Sequence, residues 1–198
     1  GGTSTTFSFG SLARTNAATL TVKGITTDLG TAGNEKLAIT AAPAVVNGTI
    51  GTWAAIQASG SNAAHFAGFS GGNLVTATYT ASAVDLDTAA AATDLLDVTG
   101  VGGLLNGDRS VYGFRSDSLV DLNGFTLNIG DVNSATPGQA GIILNNGADV
   151  TGGTLAIGTN TLAVYADDAA VSTLGATLTN FRNNNNNTLA TRFIKYGP

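Results

Sequence analysis

At 198 residues the chain is long enough for one domain with a sizeable core, or for one elongated repeat structure. Only 11% of its residues are charged, the net charge is −5 with the eight Lys and Arg scattered, and there are no cysteines. These facts exclude a basic face for nucleic acid or anionic lipid, disulfides, thiolate metal sites and cysteine nucleophiles, and no apolar run approaches the roughly 20 residues that cross a bilayer as a helix.

An apolar content of 43%, spread over short Leu-, Ile- and Val-bearing runs, argues against disorder. Thr, Asn and the 27 glycines suit β structure, because Thr is β-branched and Asn and Gly accept the positive φ of tight corners. The opening Gly1-Gly2-Thr3 carries neither an initiator Met nor a signal peptide, so the sequence reads as a processed product or a fragment.

Taken in chain order, period-two bursts occur at Leu20–Val22, Leu37–Ile39, Val75–Tyr79, Phe125–Ile129, Leu155–Ile157, Leu162–Val164 and Ala176–Leu178. Each alternates an apolar with a small or polar residue, which predicts strands with one dry and one wet face. Gly124, Gly130, Asn146-Gly147, Gly152-Gly153, Gly158 and Asp167-Asp168 supply the corners. In the second half strand starts recur roughly every 9 to 16 residues, and two or three strands per turn then give a coil of about 20 to 30 residues, the range of solenoids. The Ala/Asp-rich run 81–94 has helix formers but no apolar stripe and reads as a loop between sub-regions 1–80 and 95–198. Residues 131–140, with Pro137 and Gly138, and the run Asn183 to Asn187 read as further loops. The fold expected is all-β, a single solenoid over 1–198 with a few loop excursions.

Phe7-Ser8-Phe9-Gly10-Ser11-Leu12-Ala13-Arg14, then Ala18 to Val22, Gly51-Thr52-Trp53-Ala54, His65-Phe66-Ala67-Gly68, Val120 to Ile129, Gly141 to Leu144, Gly152 to Leu155, Leu162 to Tyr165 and Ile194 to Gly197 follow one another in a recognisable order. In that order the chain resembles the autotransporter-associated β-strand repeat regions of large bacterial surface proteins. The resemblance implies a right-handed parallel β-helix, a place outside the cell, and no catalytic activity. No membrane barrel follows in this sequence, so export through one is not implied.

Candidate chemistry is sparse. His65 is the one histidine, and nothing marks a base and orienting group around it, so a packing or surface role is the simpler reading. Asp85, Asp87, Asp94 and Asp97 are the densest carboxylates and would serve a polysaccharide-cleaving pair, although Asp is ordinary at corners. Gly102 to Asp108 has the look of half a calcium-binding nonapeptide turn, interrupted by Leu105. Trp53 could offer a ring to a sugar or fill the core, and Asn47-Gly48-Thr49 and Asn186-Asn187-Thr188 are sequons by pattern. No catalytic, cofactor or metal residue is assigned.

Phe7-Ser8-Phe9 near the start and Phe193-Ile194-Lys195-Tyr196 near the end are apolar and strand-like where a solenoid ordinarily carries polar caps. Phe7, Phe9, Leu12, Phe193, Ile194 and Tyr196 are therefore the assembly-interface candidates. The expected role is a non-catalytic extracellular structural protein, joined end to end with copies of itself or with adjoining repeats. The alternative is an adhesin module for cell-surface glycans, using Trp53 and the loops.

Overall fold

A computed structural model of the chain describes residues 5–24, 29–30, 35–57, 59–89, 91–130, 139–158, 161–167, 170–180 and 192–197. Among the described residues there are 19 strands and one turn of 3-10 helix, so the chain is all-β, and it divides into two compact units, 1–78 and 79–198.

In the first unit β1 (Thr6–Ser11), β2 (Leu20–Lys23), β3 (Lys36–Ala41), β4 (Ala54–Gln57), β5 (Ala64–Ser70) and β6 (Asn73–Thr76) form one sheet in the order β1-β3-β6-β5-β4-β2. β3 lies parallel on β1 with Lys36 beside Thr6, and β4 lies parallel on β2 with Ala54 beside Leu20. Those two pairs stack as successive coils would. The hairpin β5–β6 ends the pattern, for β5 runs antiparallel to β4 and β6 antiparallel to β3. Its two-residue turn is Gly71-Gly72, with φ of +55° and +82°, the positive pair that a type I′ turn requires. Two residues are far too few for a parallel crossover, so this half is a mixed sheet where a uniform parallel stack was expected. Ile39, Trp53, Ile56, Ala67 and Leu74 are its buried core.

The second unit holds β7 (Ala81–Ser82), β8 (Leu95–Asp97), β9 (Gly103–Leu104), β10 (Arg109–Val111), β11 (Gly113–Ser116), β12 (Val120–Asp121), β13 (Thr126–Ile129), β14 (Gln139–Leu144), β15 (Val150–Thr151), β16 (Thr154–Ile157), β17 (Thr161–Ala166), β18 (Thr177–Asn180) and β19 (Arg192–Tyr196). They make a main sheet β7-β8-β11-β14-β17-β19, a second sheet β10-β13-β16-β18 and a short sheet β9-β12-β15. Every strand pair in this unit is parallel. From β8 onward the chain visits main, short and second sheet in turn; on the last round Leu174, bridged to Val150, stands for the short sheet.

The rounds differ in length. Leu95, Gly113, Gly141, Ala163 and Ile194 stand in register on the main sheet, and the step from Leu95 to Gly113 is the shortest, that from Ala163 to Ile194 the longest. The path from the main sheet to the second is nearly constant, whether it runs from Leu95 to Arg109, Gly113 to Leu127, Gly141 to Leu155 or Ala163 to Leu178. The return absorbs the variation. It is shortest from Arg109 to Gly113, longer from Leu155 to Ala163, and longer again from Leu127 to Gly141 and from Leu178 to Ile194.

Constant register stacks like on like. Leu96, Phe114, Ile142 and Val164 form one buried row of the main sheet, and Val111, Ile129 and Ile157 one row of the second. The main sheet is buried on its other face too, at Leu95, Ile143, Ala163 and Tyr165. Its strands were expected to have one wet face, and the reason they do not is written in runs such as Ile142-Ile143-Leu144, which belong to a parallel strand covered on both sides. Gly113 fits that packing, because a Cβ there would lie 2.7 Å from the Gly141 carbonyl oxygen.

Residues 81–89 and 91–94 are mostly loop, and part of this loop caps the second unit. Leu86, in the 3-10 turn Leu86–Thr88, is fully buried in the second unit's core, and Asp85 caps that turn by accepting the Asp87 N–H at 2.9 Å. Arg109 stands in register with Leu127, on the row that faces the core. The cap supplies its partners: Nε donates to the Asp87 carbonyl at 2.6 Å, and a terminal nitrogen lies 2.9 Å from Asp87 Oδ1. The first round is thus closed by an apolar plug and an ion pair.

Candidate functional site

Four strands end the sheets at which caps are not found among the described residues: β1 and β2 in the first unit, β18 and β19 in the second. Phe7 lies beside Leu37 and Phe9 beside Ile39, so both rings share the sheet face that carries the first unit's core, yet they are 63% and 51% exposed. Leu12, Leu20 and Val22 pack against the same core, half-buried. On β19, Phe193 lies beside Leu162 and Lys195 beside Val164, again on the core face, with Phe193 49% exposed. Leu178 continues the Leu127–Leu155 row at the free side of β18 and is 45% exposed. Each end is a core layer lacking its cover among the described residues.

The six interface candidates therefore fall into different places. Phe7, Phe9 and Leu12 come together on one edge and Phe193 lies on another. Ile194 is half-buried beside Ala163 on the opposite face, and Tyr196 is buried with its ring edge-on to Tyr165 at 5.3 Å between centroids. Sequence reasoning passed over Leu178 and Lys195; phasing β19 against Leu162-Ala163-Val164 would have placed Lys195 on the core row.

The carboxylates have a common occupation. Asp87 Oδ1 accepts the Asn106 N–H at 3.0 Å, Asp108 Oδ1 the Thr126 N–H at 2.8 Å, Asp117 Oδ1 the Gly100 N–H at 2.7 Å, Asp149 Oδ1 the Thr173 N–H at 2.5 Å, and Asp167 Oδ2 the Asn146 N–H at 2.7 Å. Each ties the corner of one round to that of an adjacent round, satisfying amides that turns leave unpaired. Asp85, Asp94 and Asp121 accept amides within their own corners. Of the proposed hydrolytic group, then, Asp85 and Asp94 hold local turns, Asp87 holds Asn106 and Arg109, and Asp97 holds Arg115. Removing one such tie, Asp108→Ala, is expected to lower the unfolding free energy by about 1 kcal/mol, read from the urea midpoint.

Hydrogen bonding sets two of these carboxyls below the ordinary range. The Asn106 N–H, followed by that residue's side chain and the charge of Arg109, outweighs desolvation at Asp87. At Asp97 burial pushes upward most strongly, and the combined hydrogen bonds of Thr99 and Arg115 with the guanidinium charge override it. Arg115 Nε lies 2.8 Å from Asp97 Oδ1, and the two side chains are only 8% and 13% exposed. The guanidinium also lies 5.9 Å from the centre of the Tyr79 ring.

The remaining candidates are structural in placement. His65 is half-buried in β5, paired with Ile56 of β4. Trp53 is buried in the first core with the Arg14 guanidinium 5.9 Å from its ring centre, so its face is not open to a sugar. In the sequon Asn47-Gly48-Thr49, Thr49 is fully buried and its hydroxyl donates to the Ala67 carbonyl at 2.6 Å. Gly102 to Asp108 does not make a calcium loop: Leu105 is core, Asn106 binds Asp87 and Asp108 binds Thr126. Among the described residues no group of three or more His, Asp or Glu could hold a metal ion. Residues 131–138, Asn183 to Asn187 and the second sequon lie outside the described residues.

Compared with known proteins, the chain matches no family model, no curated protein and no solved structure.

Proposed function

We propose that this chain is a non-catalytic structural building block of a bacterial surface assembly, its second unit a short right-handed parallel β-helix, and that copies join head to tail through their free strand edges. The observation that carries the reading is the contrast between ends. The hairpin β5–β6, central in the first sheet, takes up the second edges of β3 and β4, and the Leu86 plug with the Asp87–Arg109 pair closes the first round of the second unit. By contrast, among the described residues β1, β2, β18 and β19 each pair on one side only, and Phe7, Phe9, Leu178 and Phe193 stand exposed on the core faces of β1, β18 and β19. Open edges of this kind template further pairing, and two unlike edges meeting make a contact that can repeat without limit.

Right-handedness follows the strong general preference of parallel β crossovers. The non-catalytic part of the reading is supported by the carboxylates, which are engaged in corner hydrogen bonds rather than grouped at a cleft. An extracellular location accords with the motif order noted above. The test is negative-stain electron microscopy with light scattering over a concentration series. Particles that lengthen with concentration and repeat at a fixed axial spacing are expected; a uniform monomer at every concentration overturns head-to-tail joining.

A further inference from the structure

The geometry points to one specific joint: β1 of a second copy adds in parallel to the free edge of β19, with Phe7 over Phe193 and Phe9 over Lys195. This inference rests on the head-to-tail reading and narrows it to two strands and one register.

The occupant is argued from both edges. β1 and β19 are each paired on one side only among the described residues, each with a parallel partner, so a parallel strand continues the hydrogen-bonding pattern already present in both sheets. Their lengths match, six residues against five.

Side-chain period fixes the register. Phe7 and Phe9 lie on the core face of their sheet, as Phe193 and Lys195 do on theirs. Joining the cores therefore requires those four residues on one side, and a slip by one residue would turn both rings of β1 outward. Among the even shifts, the one that sets Thr6 beside Arg192 overlaps the strands fully and covers both core-facing residues of β19. Phe7 then closes the Leu162–Phe193 row, and Phe9 covers the Val164–Lys195 row, its ring against the aliphatic stem and ammonium of Lys195. On the other face Ser8 falls beside Ile194.

The chain has no cysteine, so introduced thiols report the joint without background. Adjacent strands stand about 4.8 Å apart, within disulfide range. The full chain carrying Ser8→Cys and Ile194→Cys is expected to form a ladder of disulfide-linked multimers under mild oxidation, whereas Ser8→Cys with Lys195→Cys, which puts the thiols on opposite faces, is expected to link several-fold less. Equal or better linking by the slipped pair, a disulfide closed within one chain, or light-scattering multimers that neither pair links would overturn this register while leaving head-to-tail association standing. Absence of association in the unmodified chain would remove both. A second variant needs no disulfide: Phe9→Lys, on an exposed edge, is expected to weaken association about tenfold or more by setting one ammonium against another. Unchanged association of a variant that melts like the parent overturns the proposal as well.

Discussion

Phe114→Ala is expected to cost about 3–5 kcal/mol of unfolding free energy. Phe114 is fully buried in the row Leu96, Phe114, Ile142 and Val164, with strands on both sides of it in fixed register. Backbone hydrogen bonds hold β8 and β14 at the spacing of a parallel sheet, so the wall cannot collapse onto the vacated volume, and the loss adds a cavity term to the transfer term. Single domains are stable by only about 5–15 kcal/mol, so this one change removes a large share. Urea unfolding measures it, with Leu178→Ala as the control. Leu178 extends a neighbouring row but is 45% exposed, and its truncation is expected to cost less than about 1 kcal/mol. A comparably small loss at Phe114 would mean that the rows do not form one continuous core.

Arg115→Met is expected to cost about 3 kcal/mol or more, because it leaves the Asp97 carboxylate buried without its cation. The double variant Asp97→Asn, Arg115→Met should cost less than the sum of the single changes, since no isolated charge remains, and the cycle measures the coupling. Acid should act in the same place. The Asp97 carboxyl is held below its ordinary value in the folded chain, so its stabilising contribution is fully present above the unfolded pKa of about 3.9 and is lost as pH falls through the folded value. The parent's stability is therefore expected to hold level down to about pH 5 in respect of this pair and to decline below about pH 4. In Arg115→Met burial acts with less opposition, so the Asp97 carboxyl moves up toward or past its unfolded value and the acid decline from this site should shrink or reverse. A pH profile of the urea midpoint that is the same in both proteins would show the pair to be uncoupled.

Much of the strand content was legible from period two. Leu20–Val22, Leu37–Ile39, Leu155–Ile157 and Leu162–Val164 all lie inside strands, because alternation on a pleated backbone is a local property. Pairing partners were less legible. The mixed sheet of the first unit was missed although Gly71-Gly72 between Phe66-Ala67-Gly68-Phe69 and Leu74-Val75 is the composition of a tight hairpin, a signal lost beside an expectation of uniform stacking. The second buried face of the main sheet was missed because Ala163 and Gly141 look polar-side by size, while what covers a sheet is set by non-local contacts. Arg109 looked like a scattered surface cation; only its register with Leu127 shows that it stands on the core row and meets Asp87. Corner carboxylates were recognised as turn residues, but the amides that five of them accept lie one round away, at separations the sequence does not disclose.

The unequal rounds of the second unit bear on how such a chain can change over time. The path from main to second sheet keeps a nearly constant length while the return varies several-fold, so the rounds differ almost wholly in the stretch of sequence that leads back to the main sheet. That stretch can lengthen without altering which residues stack, because register is set by the rows on either side of it. Length can therefore be added there while the rest of each round keeps its packing, and a foreign peptide would be grafted into that stretch.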